Sequence, residues 1–257
     1  MKVDVCMWAK NGEKFLPTVL PRIEREIGND INQRIFVDDN STDNSCKIAS
    51  QFEWDIYHNQ EGWINGGCKE ALKHVETKHF VSVEQDVILC KGWWKRIQEL
   101  ISFKDVVVAQ GIYLSTNPIT RAWENYNVNR GLEFHGIGNN IYNTSFVREI
   151  GFVDYPLAMT PFYNRVKQSA YRWLIDSNLV SDHLRFSVFD DLSHSIRFYS
   201  QTKLETSLDE RSLPITLGRI LFSFKQLRTK NAFVFLYDLL LRCSYVPARL
   251  NRFKSRK

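Results

Sequence analysis

Apolar residues in the first third of the chain alternate between two rhythms. Short runs at Val3 to Ala9, Arg34-Ile35-Phe36-Val37 and Phe80 to Val83 have the length of buried strands. Between the first two, Leu16, Val19, Leu20, Ile23 and Ile27 recur at helical spacing. Asn44 to Phe52 follows a polar turn suited to capping a helix, Asp55-Ile56-Tyr57 is a weaker strand, and Gly66 to Val75 reads as a further helix. Strands alternating with helices in this way predict an α/β domain, three layers deep, with a mostly parallel central sheet. In such sheets ligands gather at the carboxyl ends of the strands.

Beyond residue 105 the pattern loosens. Val106 to Gln110, Ile141-Tyr142 and Arg185 to Phe189 are the strands it predicts there. From Leu213 onward apolar residues return to helical spacing, at Leu217, Ile220, Leu221, Phe224 and Leu227 and again at Phe233, Leu236, Tyr237, Leu240 and Leu241. The expected organisation is one domain over residues 1–212, with a nucleotide-binding half over about 1–110 and an acceptor-side half over about 111–212, followed by a helical tail over 213–257.

Charge separates the tail from the rest. The chain carries a formal +5, but residues 219–257 hold ten Lys/Arg against Asp238 alone, which leaves the remainder acidic. Bases interleaved with an apolar face suit helices lying on an anionic membrane surface. The run Ala232 to Val246 is broken by Asp238 and Arg242 and is too short to span a bilayer. A nucleic-acid partner is not expected, since the basic region is amphipathic rather than a stacking platform and the rest of the chain repels phosphate. The five cysteines are odd in number and form no Cys-x-x-Cys pair, so reduced thiols and a cytoplasmic location, at a membrane face, are the expectation. The first residues have no long apolar leader.

Two strands end in acids: Val37 runs into Asp38-Asp39, and Val83 into Glu84-Gln85-Asp86. A short carboxylate at an exposed strand end is well placed to hold Mg²⁺ or Mn²⁺, hard cations that take oxygen ligands and share them with substrate phosphates. Either cluster alone would pass for a solvated turn. Two at the same sheet edge define a candidate site.

The segment Val37-Asp38-Asp39-Asn40-Ser41-Thr42-Asp43-Asn44-Ser45 resembles the signature of family 2 glycosyltransferases, which have the GT-A fold. Val83 to Leu89 followed by Lys91-Gly92-Trp93 is similar to the same family's Asp-x-Asp segment, and Gly138-Asn139-Asn140 with Val147 to Asp154 to its acceptor-side segment. The similarity runs in order across roughly residues 3–195. It implies a metal-assisted transfer of a sugar from a UDP- or GDP-sugar to a lipid-linked or polysaccharide acceptor. Asp38 and Asp39 would then face the nucleotide base or ribose, with Asn11 near them and Asn65 and Gly67 at a helix start beside the donor. Asp86 would be the principal metal ligand, Glu84 would stand for the first Asp, and His194 would be the histidine that closes over the diphosphate or metal.

One departure is large. Many inverting relatives carry a Glu-Asp pair ahead of an Arg, the Asp being the catalytic base; with Arg172 on that Arg, Arg165-Val166 occupies the pair. A phosphate acceptor needs no base, because it is already an anion, and Arg165 would then be its partner. The same vacancy suits a catalytically inactive binding protein. A nucleotidyltransferase of similar fold is the other alternative, although Ala9 to Lys14 offers one glycine where a phosphate loop needs several.

Overall fold

The computed structural model describes residues 1–131, 135–152, 159–193, 220–221 and 223–254. An eight-stranded sheet in the order β3-β2-β1-β4-β7-β6-β8-β5 forms the centre of the fold. Its first half is β1 (Val3–Ala9), β2 (Ile31–Asp38), β3 (Asp55–His58) and β4 (His79–Ser82), all parallel where they pair. The connections are α1 (Leu16–Ile27), α2 (Ser45–Gln51) and α3 (Trp63–His74), close to the expected spans. Every residue of β1 is buried, as a central strand covered on both faces requires.

The second half contains β5 (Val87–Ile88), α4 (Trp93–Ile101), β6 (Val106–Ser115), α5 (Pro118–Val128), β7 (Asn140–Asn143), α6 (Thr144–Ile150), α7 (Met159–Gln168) and β8 (Arg172–His183). Here β7 pairs antiparallel with β4 and β6, and β8 antiparallel with β5. The α/β expectation holds. Phe80, Val108, Tyr142, Phe162 and Trp173 belong to one buried cluster that joins the parallel half to the antiparallel strands.

One expected strand is not there. Residues 184–187 are irregular and 188–193 are helical, so Arg185 to Phe189 forms no strand. The strand is β8, which ends at His183. Its sequence carries Asp176, Ser177, Asn178, Ser181 and Asp182, and only alternate stretches are buried, so it gave no apolar run to read.

The chain divides into two compact units, one made of Met1–Tyr113 with Glu133–His183, the other of Leu114–Leu132 with Leu184–Lys257. The second unit thus gathers more than the tail. Its long helix, α8 (Ala232–Lys254), packs on α5: Tyr237 meets Trp123 with ring centroids 5.2 Å apart, and Trp123 Nε1 donates to Asp238 at 3.3 Å. Asp238, the acid that interrupts the tail's apolar run, is buried and also accepts from Arg242 Nε at 2.7 Å. It is a core hydrogen-bonding group, not a solvated one.

Candidate active site

The loop after β1 joins the two acidic clusters. Gly12 N–H donates to Ser45 Oγ at 2.7 Å, Glu13 N–H to Asp43 at 3.0 Å, and Asn44 Nδ2 to Glu13 at 2.8 Å. Asn11, in the left-handed region at φ 52°, donates its N–H to Ser41 Oγ and accepts from Thr42 N–H at 2.8 Å. On the other side Gln85, between the acids of the second cluster, grips Lys10 through both its N–H at 2.9 Å and its C=O at 3.1 Å. A Cβ on Gly12 would come within 2.8 Å of Gln85 Oε1, so the clamp needs a glycine there.

The two acids of the first cluster do different work. Asp38 is buried and accepts from Ser41 N–H, which shapes the turn after β2. Asp39 is half-buried, held by Lys10 Nζ at 3.3 Å and by Asn59 Nδ2 at 3.1 Å. Burial and the Asp38 carboxylate push the Cys46 thiol up to about 11, so it is a neutral packing group beside this cluster. Burial pulls Asp43 up, but hydrogen bonds from Ser45 and from backbone N–H groups outweigh it and hold the carboxyl below its usual range. Asn65 is buried in the first turns of α3. A Cβ on Gly67 would meet Trp8 Cβ at 2.7 Å, so this glycine lets α3 pack against β1.

Glu84, Asp86 and His183 offer ligand atoms that all lie within 4.8 Å of one another. Asp86 and His183 are both buried, with Nε2 of the histidine 3.3 Å from a carboxylate oxygen. Asp86 was expected at an exposed strand end; it is 7% exposed, because β8 covers it. Tyr113 orients two members of the group: its hydroxyl donates to Glu84 Oε1 at 3.2 Å, and its ring stands edge-on to His183 with centroids 4.8 Å apart. Gly138 closes the other side, since a Cβ there would lie 2.5 Å from Glu84 Cγ. Two carboxylates and an imidazole in this compass fit a divalent cation, and two acids so close together, one buried and one half-buried, otherwise repel.

His194 lies outside the described residues. The histidine that joins the acids is His183, at the end of β8, because the strand runs over Arg172–His183 and not over the expected Arg185 to Phe189. Arg165 is not in this group. On α7, it is exposed and its guanidinium donates to the carbonyls of Ile150 and Gly151, where α6 ends. Cations at that position satisfy the last carbonyls of a helix. Arg165→Ala is accordingly expected to lower Tm by about 2–4 °C, the scale of one lost hydrogen bond in a chain of this size. Thermal denaturation measures that, and a raised acceptor KM at unchanged Tm would return Arg165 to the phosphate.

Acids at the carboxyl edge of an α/β sheet, tied to a polar loop and grouped with a histidine, make this edge the candidate site. A family model described as glycosyl transferase family 2 matches residues 4–206, and the chain belongs to that family. A search of curated proteins by sequence gave no match. Among solved structures, the chain is similar to the mannosyltransferase PcManGT from Pyrobaculum calidifontis in complex with GDP-Man and Mn²⁺, at 12% identity and TM-score 0.69, covering 100% of this chain and 88% of that one. It is also similar to glucosyl-3-phosphoglycerate synthase from Mycobacterium tuberculosis in complex with Mn²⁺, UDP and glucosyl-3-phosphoglycerate, at 13% identity and TM-score 0.55, covering 75% of each chain. S. aureus TarS 1–349 in complex with UDP matches at 16% identity and TM-score 0.52, over 99% of this chain and 88% of that one. At these identities the structural likeness shows the fold.

Proposed function

We propose that the protein transfers a sugar from a UDP- or GDP-sugar to a lipid-linked or polysaccharide acceptor. The observation that carries the reading is the grouping of Glu84, Asp86 and His183 at the same sheet edge as Asp39, with Gln85 and Lys10 linking them. Asp39 and Asn59 present polar groups to a base or ribose, while Asn11 and Gly12 fix the loop between the clusters. Asp86, Glu84 and His183 hold Mg²⁺ or Mn²⁺, which when bound offsets the charge that develops on the departing diphosphate. Tyr113 and Gly138 keep Glu84 aimed at that position. The basic residues of 213–257 bring the enzyme to an anionic membrane face, where a lipid-linked acceptor resides.

The test is a screen of nucleotide sugars for metal-dependent Tm shifts, followed by transfer from the stabilising donor to phosphate-bearing and hydroxyl-bearing acceptors. Stabilisation without transfer to any acceptor would favour a binding protein over an enzyme. Asp39→Ala is expected to raise the donor KM about 10- to 100-fold, the scale of a lost charge-assisted contact, with a smaller change in kcat. A drop in kcat alone would move Asp39 from recognition into the chemistry.

A further inference from the structure

Among the described residues, eleven large apolar side chains are exposed, and seven of them lie in the second unit. Phe186 and Phe189 are 57% and 74% exposed, in and beside the helical residues 188–193. Leu221 is 69% exposed, and Phe224 and Leu227, both more than half exposed, lie in or beside the 3₁₀ helix Ser223–Thr229. Phe233 and Leu236 occupy the first turn and a half of α8. Two of the three segments have buried apolar residues of their own. Val188, Leu192 and Tyr237 share one buried cluster with Trp123, and Val234 is buried on the inner side of α8. Phe224 also meets Phe235, with ring centroids 5.5 Å apart, yet all seven side chains stay more than a third exposed, and so much exposed apolar surface in one unit marks an interaction site.

In a 3₁₀ helix residues three apart eclipse. Phe224 and Leu227 thus form one row, and Lys225 and Arg228 the row beside it. Lys230 follows at φ 55°, turning the chain into α8. Aromatic and aliphatic tips flanked by bases match the boundary between acyl chains and anionic headgroups. Among the described residues no helix is long and apolar enough to cross a membrane. A second protein would be matched by apolar surface alone; the adjoining cationic row and the excess of bases over acids in 219–257 favour an anionic lipid surface.

We propose that the second unit docks on anionic bilayers through these three segments, with Phe186 and Phe189 inserting together with the 3₁₀ helix and the first turns of α8. This rests on the membrane reading above but assigns the contact differently. The inner face of α8 belongs to the protein core, and a segment outside the tail, 186–189, takes part. It does not depend on which sugar is transferred.

The test is co-sedimentation of the full chain with vesicles of phosphatidylcholine alone and of phosphatidylcholine mixed with phosphatidylglycerol. The parent should bind the mixed vesicles and release them as salt rises. Phe186→Ser with Phe189→Ser, and separately Phe224→Ser with Leu227→Ser, should each weaken that binding at least about tenfold, since insertion scales with apolar area. Tm should fall by no more than about 2–4 °C in either, because these side chains are more than half exposed and Phe224 loses only its contact with Phe235. Parent-like binding by both double variants, with loss on Arg249→Glu and Arg252→Glu, would overturn the proposal and leave the tail reading standing. No binding by the parent to either vesicle would sink both. A stable dimer abolished by the same serine substitutions would put a second copy on this surface and overturn it as well.

Discussion

Replacing Asp86 with Asn is expected to lower sugar transfer at least about 100-fold while leaving the metal-free protein no less stable than the parent. The rate effect follows from the loss of one preorganised electrostatic contact to a developing charge, which costs about 10²–10³ in kcat elsewhere. The stability effect follows from the surroundings of Asp86. It is buried, and its carboxylate shares a compass of 4.8 Å with Glu84, so without a cation the two acids repel. Asparagine has the same shape and keeps a polar atom toward His183, which lies 3.3 Å from the Asp86 carboxylate. The parent should gain roughly 3 kcal/mol from Mn²⁺ at a hundred times its Kd, which is several degrees in Tm; Asp86→Asn should lose that gain. Differential scanning with and without Mn²⁺, alongside single-turnover transfer, reads both effects. Parent-like turnover, or an unchanged Mn²⁺ shift, would remove Asp86 from the metal.

The parallel half of the sheet was legible because its physics is local. A strand such as β1, buried along its whole length, must be apolar throughout, and the acids that follow β2 and β4 stand out against such runs. Asp38 and Asp39 are adjacent in sequence, yet one shapes the turn and the other faces Lys10 and Asn59. Nothing in their spacing distinguishes them; the direction of each side chain does.

The second half was less legible for a reason that shows in β8. Its alternation is interrupted by polar residues: Trp173, Leu179 and Ser181 are buried while Asp176 and Asn178 are not buried. Pairing with β5 fixes its place, and that is a long-range fact. The tail was ambiguous in another way. Its apolar residues at helical spacing serve two faces, with Tyr237 turned onto Trp123 and Phe233 left exposed, and a periodicity gives no sign of which residues a distant helix will cover.

The sharpest consequence of the β8 placement concerns histidine. His183→Gln is expected to raise the Mn²⁺ concentration for half-maximal activity at least about 100-fold, more than the 10–100-fold that losing an outer-shell partner costs. His183 ends β8 opposite Val87, and this pairing carries its ring to Asp86. Tyr113 holds the ring from the side, so the imidazole is oriented before any metal arrives. Glutamine is close in length but offers a weaker, differently directed donor, so the loss should appear in metal affinity first. At saturating Mn²⁺ part of kcat should return, because Glu84 and Asp86 still supply two carboxylates; Asp86→Asn should show no such recovery. His194→Gln, measured in parallel, discriminates between the two histidines. A large Mn²⁺ effect at His194 with none at His183 would mean that the later histidine closes the site and that the His183–Asp86 contact only fastens β8 to β5.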